Sequence, residues 1–319
     1  MNKNRFWLIV ATSLIIVGLV IFSCVMTAYK WDFTKLSTKK YQTNEYEITE
    51  DFSIIEINSA TADISILPSQ DGKSKVVCFD DENLKYQVGV NGEKLSINLN
   101  DQRKWYEYIG IDFYTSKLTI YLNQNDYFKL SINQSTGDVE ISENLRFNNI
   151  DIRLSTGNVK CLASSSELIK IQTTTGDITL QNLSAGALDL RVSTGSVNLS
   201  SITANGDIKL NTNTGDVKLE NATCKSLITD GDSGDITLKN VIASDKFIIE
   251  RDTGDVSFNG CDASEIQVET DTGDVTGSLL SSKIFMVETD TGRKSIPQSS
   301  SGGKCKIETD TGDIIITIV

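Results

Sequence analysis

Histidine is missing altogether from the 319 residues, and proline occurs only twice. Without an imidazole there is no Ser-His-Asp or Cys-His catalysis, no ordinary zinc site and no imidazole acid–base role. Positive charge is also scarce, with 30 Lys and Arg against 43 Asp and Glu, a formal charge of −13. A chain of pI near 4.6 is poorly made for gripping phosphates, so no nucleic acid partner is expected. Cysteine numbers six, and the five outside the first apolar run cannot all pair internally, so no disulfide framework is implied. Cys78, Cys161, Cys224, Cys261 and Cys305 read instead as small buried hydrophobes.

What charge there is divides unevenly. Residues 1–40 hold six basic side chains against Asp32 alone, and the rest of the chain holds 24 basic and 42 acidic ones. Between Phe6 and Tyr29 no residue is charged. About 20 apolar residues cross the hydrocarbon core as a helix, so residues 6–29 are expected to be a transmembrane anchor. Lys3 and Arg5 precede it and place the N-terminus in the cytoplasm by the positive-inside rule, with the remainder extracytoplasmic. A cleaved signal peptide and a lipoprotein signal at Ile21-Phe22-Ser23-Cys24 are rivals. The run lacks a small-x-small cleavage site, and Phe22 is bulky for the lipoprotein pattern.

Beyond a basic linker the chain is an array. A Thr-Gly-Asp-Ile/Val motif recurs with its glycine at Gly137, Gly157, Gly176, Gly195, Gly215, Gly234, Gly254, Gly273, Gly292 and Gly312, spaced 19 or 20 residues apart. A degenerate copy is suggested at Thr61-Ala62-Asp63-Ile64. So tight a period signals repeat architecture. Apolar residues recur seven and five before the glycine (Leu130 and Ile132, Ile150 and Ile152, Ile169 and Ile171) and two and four after it (Val139 and Ile141, Ile178 and Leu180). Alternation with period two marks half-buried strands. Each repeat therefore reads as a strand, a Thr-Gly-Asp corner, a second strand and a short polar loop. By the same parity the threonine before the glycine is expected to point inward.

Two architectures fit this unit. With Gly-Asp as a hairpin turn the array becomes an antiparallel meander. With each repeat as one coil of a parallel β-solenoid, like residues stack on like and the rod buries its own core. The solenoid is expected, because a sheet of some twenty strands would have to curl and protect its edges. The fold class expected is therefore all-β, a parallel β-solenoid of about ten coils over 129–319. An N-terminal β cap over 41–128 and one transmembrane helix within 1–40 precede it. The cap region carries a hairpin signal at Asn91-Gly92. It also holds an aromatic cluster, Trp105, Tyr106, Tyr108, Phe113 and Tyr114, expected to cover the first coil rather than to bind a partner.

The repeated T-G-D-[IV] corners, the lead-in Lys117-Leu118-Thr119-Ile120-Tyr121-Leu122 and the run Phe128-Lys129-Leu130-Ser131-Ile132 resemble the bacterial putative-adhesin domain family. The resemblance spans roughly residues 45–319. It implies a β-solenoid of unknown function, often membrane-tethered, related to the LiaG-like proteins of cell-envelope stress operons. Asn123 departs from the family, which usually turns on a proline after the lead-in strand.

Outward aspartates are the residues most able to carry chemistry. One after the glycine stand Asp138, Asp177, Asp216, Asp235, Asp255, Asp274 and Asp313, interrupted by Asn158, Ser196 and Arg293. Two before it, the last five repeats add Asp232, Asp252, Asp271, Asp290 and Asp310. Short aspartates at a turn usually bond to the turn's own amides. A weaker expectation is a calcium ladder on Asp232, Asp235, Asp252, Asp255, Asp271, Asp274, Asp310 and Asp313, since calcium takes six to eight oxygens. An ice-binding Thr-x-Thr face would bury the intervening aspartate without a partner and is set aside.

The ninth repeat alone is irregular: Arg293 and Lys294 replace Asp and Val, and Pro297 and a Ser/Gly run follow. It reads as a tolerated insertion near the array's end. Gly186, in a polar loop, is expected to tolerate a side chain better than the corner glycines. No catalytic constellation emerges. The function expected is a membrane-anchored, non-enzymatic surface module contacting an envelope polymer, a protein partner or another copy of itself. The alternative is a polysaccharide lyase or glycosidase on the same scaffold.

Overall fold

The computed structural model describes residues 3–36, 40–81, 84–101, 115–124 and 126–319. The five aromatics of the 105–114 cluster lie outside them. One long helix, Lys3–Ala28, opens the chain. Its stretch Arg5–Ala28 has a mean hydropathy of 2.8 and leaves most of its apolar side chains uncovered, Met26 being buried, so it is long and apolar enough to cross a membrane.

From Tyr41 onward the regular structure is β, and the array is a parallel solenoid. Consecutive coils pair residue for residue: Ile178 with Val197, Leu180 with Leu199, Leu188 with Ile208 and Leu190 with Leu210. Like apolar residues therefore stack in columns, and the inward columns form one continuous buried core. The degenerate first copy belongs to the same stack, with Thr61 bridging Thr136 and Ile64 pairing Val139.

Three features differ from the sequence expectation. First, the polar loop is itself a corner and a strand. After Ile178 and Leu180 the chain bends at Asn182 (φ 52°), and Leu183 and Ala185 then pair with Ile202 and Ala204 of the next coil. Ser201, Asn221 and Asn240 hold the same left-handed conformation at equivalent places, and asparagine tolerates it better than most residues. Asn240 also donates to Asn221 Oδ1 at 2.9 Å. Each coil thus has three inward-facing runs, which is what a period of 19–20 accommodates.

Second, the threonine before the glycine is exposed, as is the residue before that; the inward residue is the one three before the glycine. Alternation ends before the glycine is reached: Thr173 is buried, Thr174 and Thr175 are both exposed, and burial resumes only at Ile178. Third, the last two coils stack out of chain order. Glu265–Thr272 pairs with Gly303–Thr311, and Gly303–Thr311 in turn pairs with Lys283–Thr291. The tenth repeat lies inside the rod, and the irregular ninth forms its end rather than a tolerated insertion. The reason is chemical. Cys305, Ile307, Ile314 and Ile316 supply a full set of buried residues, whereas Lys294 stands at a core position and is exposed. A coil carrying a lysine there belongs where only one side must be covered.

At the other end, parallel pairing with the array reaches N-terminal of residue 129. Ile54–Asn58 lies between Lys94–Asp101 and Asp126–Thr136, and Asp63–Pro68 between Lys117–Leu122 and Val139–Ile141. Antiparallel strands close this end. Ser74–Asp81 runs against Lys117–Leu122, Tyr41–Ile48 against Ser74–Asp81, and Leu84–Asn91 against Lys94–Asp101 across the Asn91-Gly92 turn. Tyr127 stacks between Phe52 and Phe147, with ring centroids 5.6 and 5.8 Å away.

Candidate functional site: the corner ladder

The Thr-Gly-Asp corner is built by backbone demands that recur along the rod, a close approach at every corner glycine and a positive φ at all but Gly292. Gly176 has φ +134°, and a Cβ there would sit 2.1 Å from the carbonyl oxygen of Gly157 in the preceding coil. Glycine is therefore required twice over, by conformation and by close approach. The coils are then tied through amides. Gly157 N–H donates to Thr175 O at 2.9 Å, and Val159 N–H to Asp177 O at 2.9 Å.

That pattern leaves the amide of the residue after the glycine, and the aspartate ladder receives it. Asp138 Oδ1 accepts from Asn158 N–H at 2.8 Å, Asn158 Oδ1 from Asp177 N–H at 2.9 Å, and Asp177 Oδ1 from Ser196 N–H at 2.8 Å. The relay resumes from Asp216 to Asp235, Asp255, Asp274 and Asp313 at 2.7–3.0 Å. Asp63 begins it, accepting from Asp138 N–H at 3.1 Å. The carboxylates serve the next coil's amide, not their own corner's as expected from turn chemistry. An acceptor oxygen is what the place requires, and Asn158 does the same work without charge.

The relay ends at the terminal coil. Asp313 Oδ1 accepts from Arg293 N–H at 2.8 Å while its Oδ2 takes Arg293 Nε at 2.9 Å and NH2 at 2.5 Å. These bonds hold the Asp313 carboxyl below the usual carboxylate range. Arg293 offers no side-chain acceptor, so it cannot serve a further coil.

The second acidic column is different. Asp232, Asp252, Asp271, Asp290 and Asp310 are all exposed, beside the exposed Ser233, Thr253, Thr272, Thr291 and Thr311. Together with Ser135, Ser155, Thr174, Ser193 and Asn213 of the first five repeats, they form a two-residue-wide polar ledge along the rod. Among the described residues no three acidic or cysteine side chains converge closely enough to hold a metal ion. The eight aspartates of the expected calcium ladder therefore lie in two parallel columns rather than in a cage.

Elsewhere, the five rod cysteines are buried and unpaired, and burial pushes the Cys161 and Cys305 thiols up to about 12. An open hollow of about 300 Å³ lies beside the third run of the first coils, lined by Tyr127, Arg146, Phe147, Ser165 and Asn205 among others. Sequence reasoning missed the inward column three before the glycine. There Thr173, Thr270 and Thr309 donate to Gly157, Gly254 and Gly273 carbonyls at 3.4, 3.5 and 3.1 Å. Recurring threonine at that place was the available signal.

Among solved structures, that of a putative lipid binding protein from Parabacteroides distasonis ATCC 8503 is similar, with a TM-score of 0.52 at 16% identity over 76% of this chain and 98% of that one. A putative adhesin from Bacteroides fragilis NCTC 9343 aligns with a TM-score of 0.43 at 16% identity, over 88% of this chain and 98% of its own. At such identities the likeness is one of fold. No curated protein matches the chain. Residues 52–244, more than half of the chain and spanning all but the first of the capping strands and the first coils, match the Toastrack DUF4097 family, and the protein belongs to it.

Proposed function

We propose that the protein is a membrane-anchored, extracytoplasmic contact module without catalysis, and that the corner ledge is its binding surface. The observation that carries this reading is the ledge itself. Two columns of exposed hydroxyl, amide and carboxylate side chains repeat at every coil, about 4.8 Å apart, from Ser135 and Thr136 to Asp290 and Thr291. A surface of that pitch suits an extended polymer with many weak, regularly spaced polar contacts, each small alone and additive through multivalency. The envelope polysaccharides are the polymers of that chemistry. The adhesin and lipid-binding names of the similar structures agree with a surface role but do not choose the ligand.

Two experiments test the proposal. Ser299→Cys introduces the one rod thiol in an exposed loop region, the natural ones being buried. Labelling of intact cells by a membrane-impermeant maleimide is expected; labelling only after lysis would overturn the extracytoplasmic placement. For the ledge, full-length protein in detergent micelles should co-sediment with isolated envelope polysaccharide, and Thr156→Trp with Thr175→Trp should weaken it. Release of soluble sugar ends from the polymer, abolished by one aspartate substitution, would replace the contact module with the carbohydrate-active enzyme.

A further inference from the structure

Among the described residues seven buried side-chain nitrogen or oxygen atoms have no hydrogen-bond partner, and four of them belong to one place: Thr212 Oγ1, Thr229 Oγ1, Arg251 Nε and Arg251 NH2. A buried polar group left unpaired is costly, so such a concentration calls for an account. Strand register puts these residues on neighbouring rungs inside the rod. Leu210 pairs with Thr229 and Thr229 with Ile249, which sets Gly231 between Thr212 and Arg251. Arg251 is only 3% exposed, and its NH1 passes over Gly231 to donate to Thr212 O, two coils away, at 2.6 Å. A Cβ at Gly231 would meet that nitrogen at 2.2 Å.

The coil between them departs from its neighbours twice. Five before the glycine every other repeat carries Ile, Leu or Val, but this one carries Thr229; three before it, where threonine recurs, stands Gly231. Thr212 departs from its column as well. Thr173, Thr270 and Thr309 spend their hydroxyls on the corner glycine of the preceding coil, and Thr212 does not. The result is a guanidinium with two unpaired nitrogens beside two unpaired hydroxyls, in a coil whose Thr229 and Gly231 are smaller than most residues at those places in the other coils.

We propose that this cluster is an internal site for a small monovalent anion of halide size, held by Arg251 Nε and NH2 with the Thr212 and Thr229 hydroxyls. Every unpaired nitrogen here is a donor, and both hydroxyls can donate, which calls for an acceptor-only ligand. A buried cation without a hydrogen-bonded counter-charge favours an anion over water. Burial disfavours the charged guanidinium, while Asp230, Asp216, Asp232 and Asp235 favour it from outside. None of those carboxylates reaches the unpaired nitrogens. The anion would pin three successive coils together from within, directly beneath the start of the acidic ledge.

Bromide is the probe. Full-length protein in micelles is melted in sodium bromide and in sodium gluconate at equal ionic strength, beside Arg251→Met and Thr229→Ile. Bromide should raise the wild-type midpoint, relative to either variant, by at least ~2 °C. An anomalous peak beside Arg251 Nε in a bromide-soaked crystal of the native protein is the second expected result and does not depend on either variant folding. An identical salt response in wild type and variants, or water in place of the anomalous peak, would overturn the site.

Discussion

The first five coils, cornered at Gly137 to Gly215, and the last five, cornered at Gly234 to Gly312, share one backbone and differ in one exposed column. Two residues before the glycine the first half carries Ser135, Ser155, Thr174, Ser193 and Asn213, and the second carries Asp232, Asp252, Asp271, Asp290 and Asp310. The glycine and the acceptor after it recur in both halves because the inter-coil amides need them. The second column makes no such contribution, so its composition is free to vary. Like charges at a coil's spacing repel by on the order of 1 kcal/mol per pair even in water. Five successive aspartates therefore stand at that cost in a place where serine also fits.

The largest expected effect tests whether the halves truly share a corner. Gly176→Val and Gly273→Val should each destabilise by about 3 kcal/mol or more, combining positive-φ strain with backbone overlap. The corresponding Cβ atoms would lie 2.1 Å from Gly157 O and 2.0 Å from Gly254 O. Gly89, with nothing within 4 Å of its Cβ, is the control, and Gly89→Val should change the melting midpoint little. Gly186 is no such control, contrary to its reading as a tolerant loop position: a Cβ there would lie 2.1 Å from Glu167 O. Markedly unequal losses at Gly176 and Gly273 would break the comparison.

Next in size is calcium. A ladder on the acidic half predicts stabilisation by RT ln(1 + [L]/Kd), about 2.7 kcal/mol at a hundredfold excess over Kd. The full-length protein would be melted in chelator and in millimolar calcium at constant ionic strength. Asp252→Asn with Asp255→Asn should remove most of the gain, and Asp138→Asn in the neutral half should leave it. An unchanged wild-type midpoint would leave the aspartates as hydrogen-bonding corner residues alone.

A smaller contrast separates acceptor from charge. Asp255→Asn should alter stability by less than about 0.5 kcal/mol, as Asn158 already performs this role, whereas Asp255→Ala should cost about 1 kcal/mol by stranding the Asp274 amide. Equal losses in chemical denaturation would mean that charge, not the acceptor, matters. Smallest is the effect at the rod's end. Arg293 depresses the Asp313 carboxyl, so that pair contributes stability present above the unfolded carboxylate range and lost as pH falls through the folded value. Arg293→Gln should move the Asp313 titration upward, read by carboxyl-carbon NMR.

The solenoid was legible before any coordinates because two periods coincide in the sequence, two residues within strands and 19–20 between glycines. Leu188, Ile208 and Leu227 are buried where alternation put them. The same reasoning misplaces Thr175 and its equivalents, because the strand's alternation stops after Thr173 and both residues before the corner glycine face out. It also took the run around Leu183 and Ala185 for a loop, because two apolar residues bounded by Asn182 and Gly186 are too few to show a period. The aspartates' exposure followed from parity, but their true partners did not, as those amides lie a whole coil away in sequence.

The sequence alone thus determined the repeat, its core columns, the need for glycine at each corner and an apolar stretch long enough to span a membrane, since each is set by local chemistry or by stacking like on like. Tertiary structure alone decided the order of the last coils. Every coil presents nearly the same edge, so pairing energy barely distinguishes one neighbour from another. The choice falls to Lys294, which cannot be buried at its core position, and to Arg293, which offers no acceptor to a further coil; both are accommodated where the rod stops.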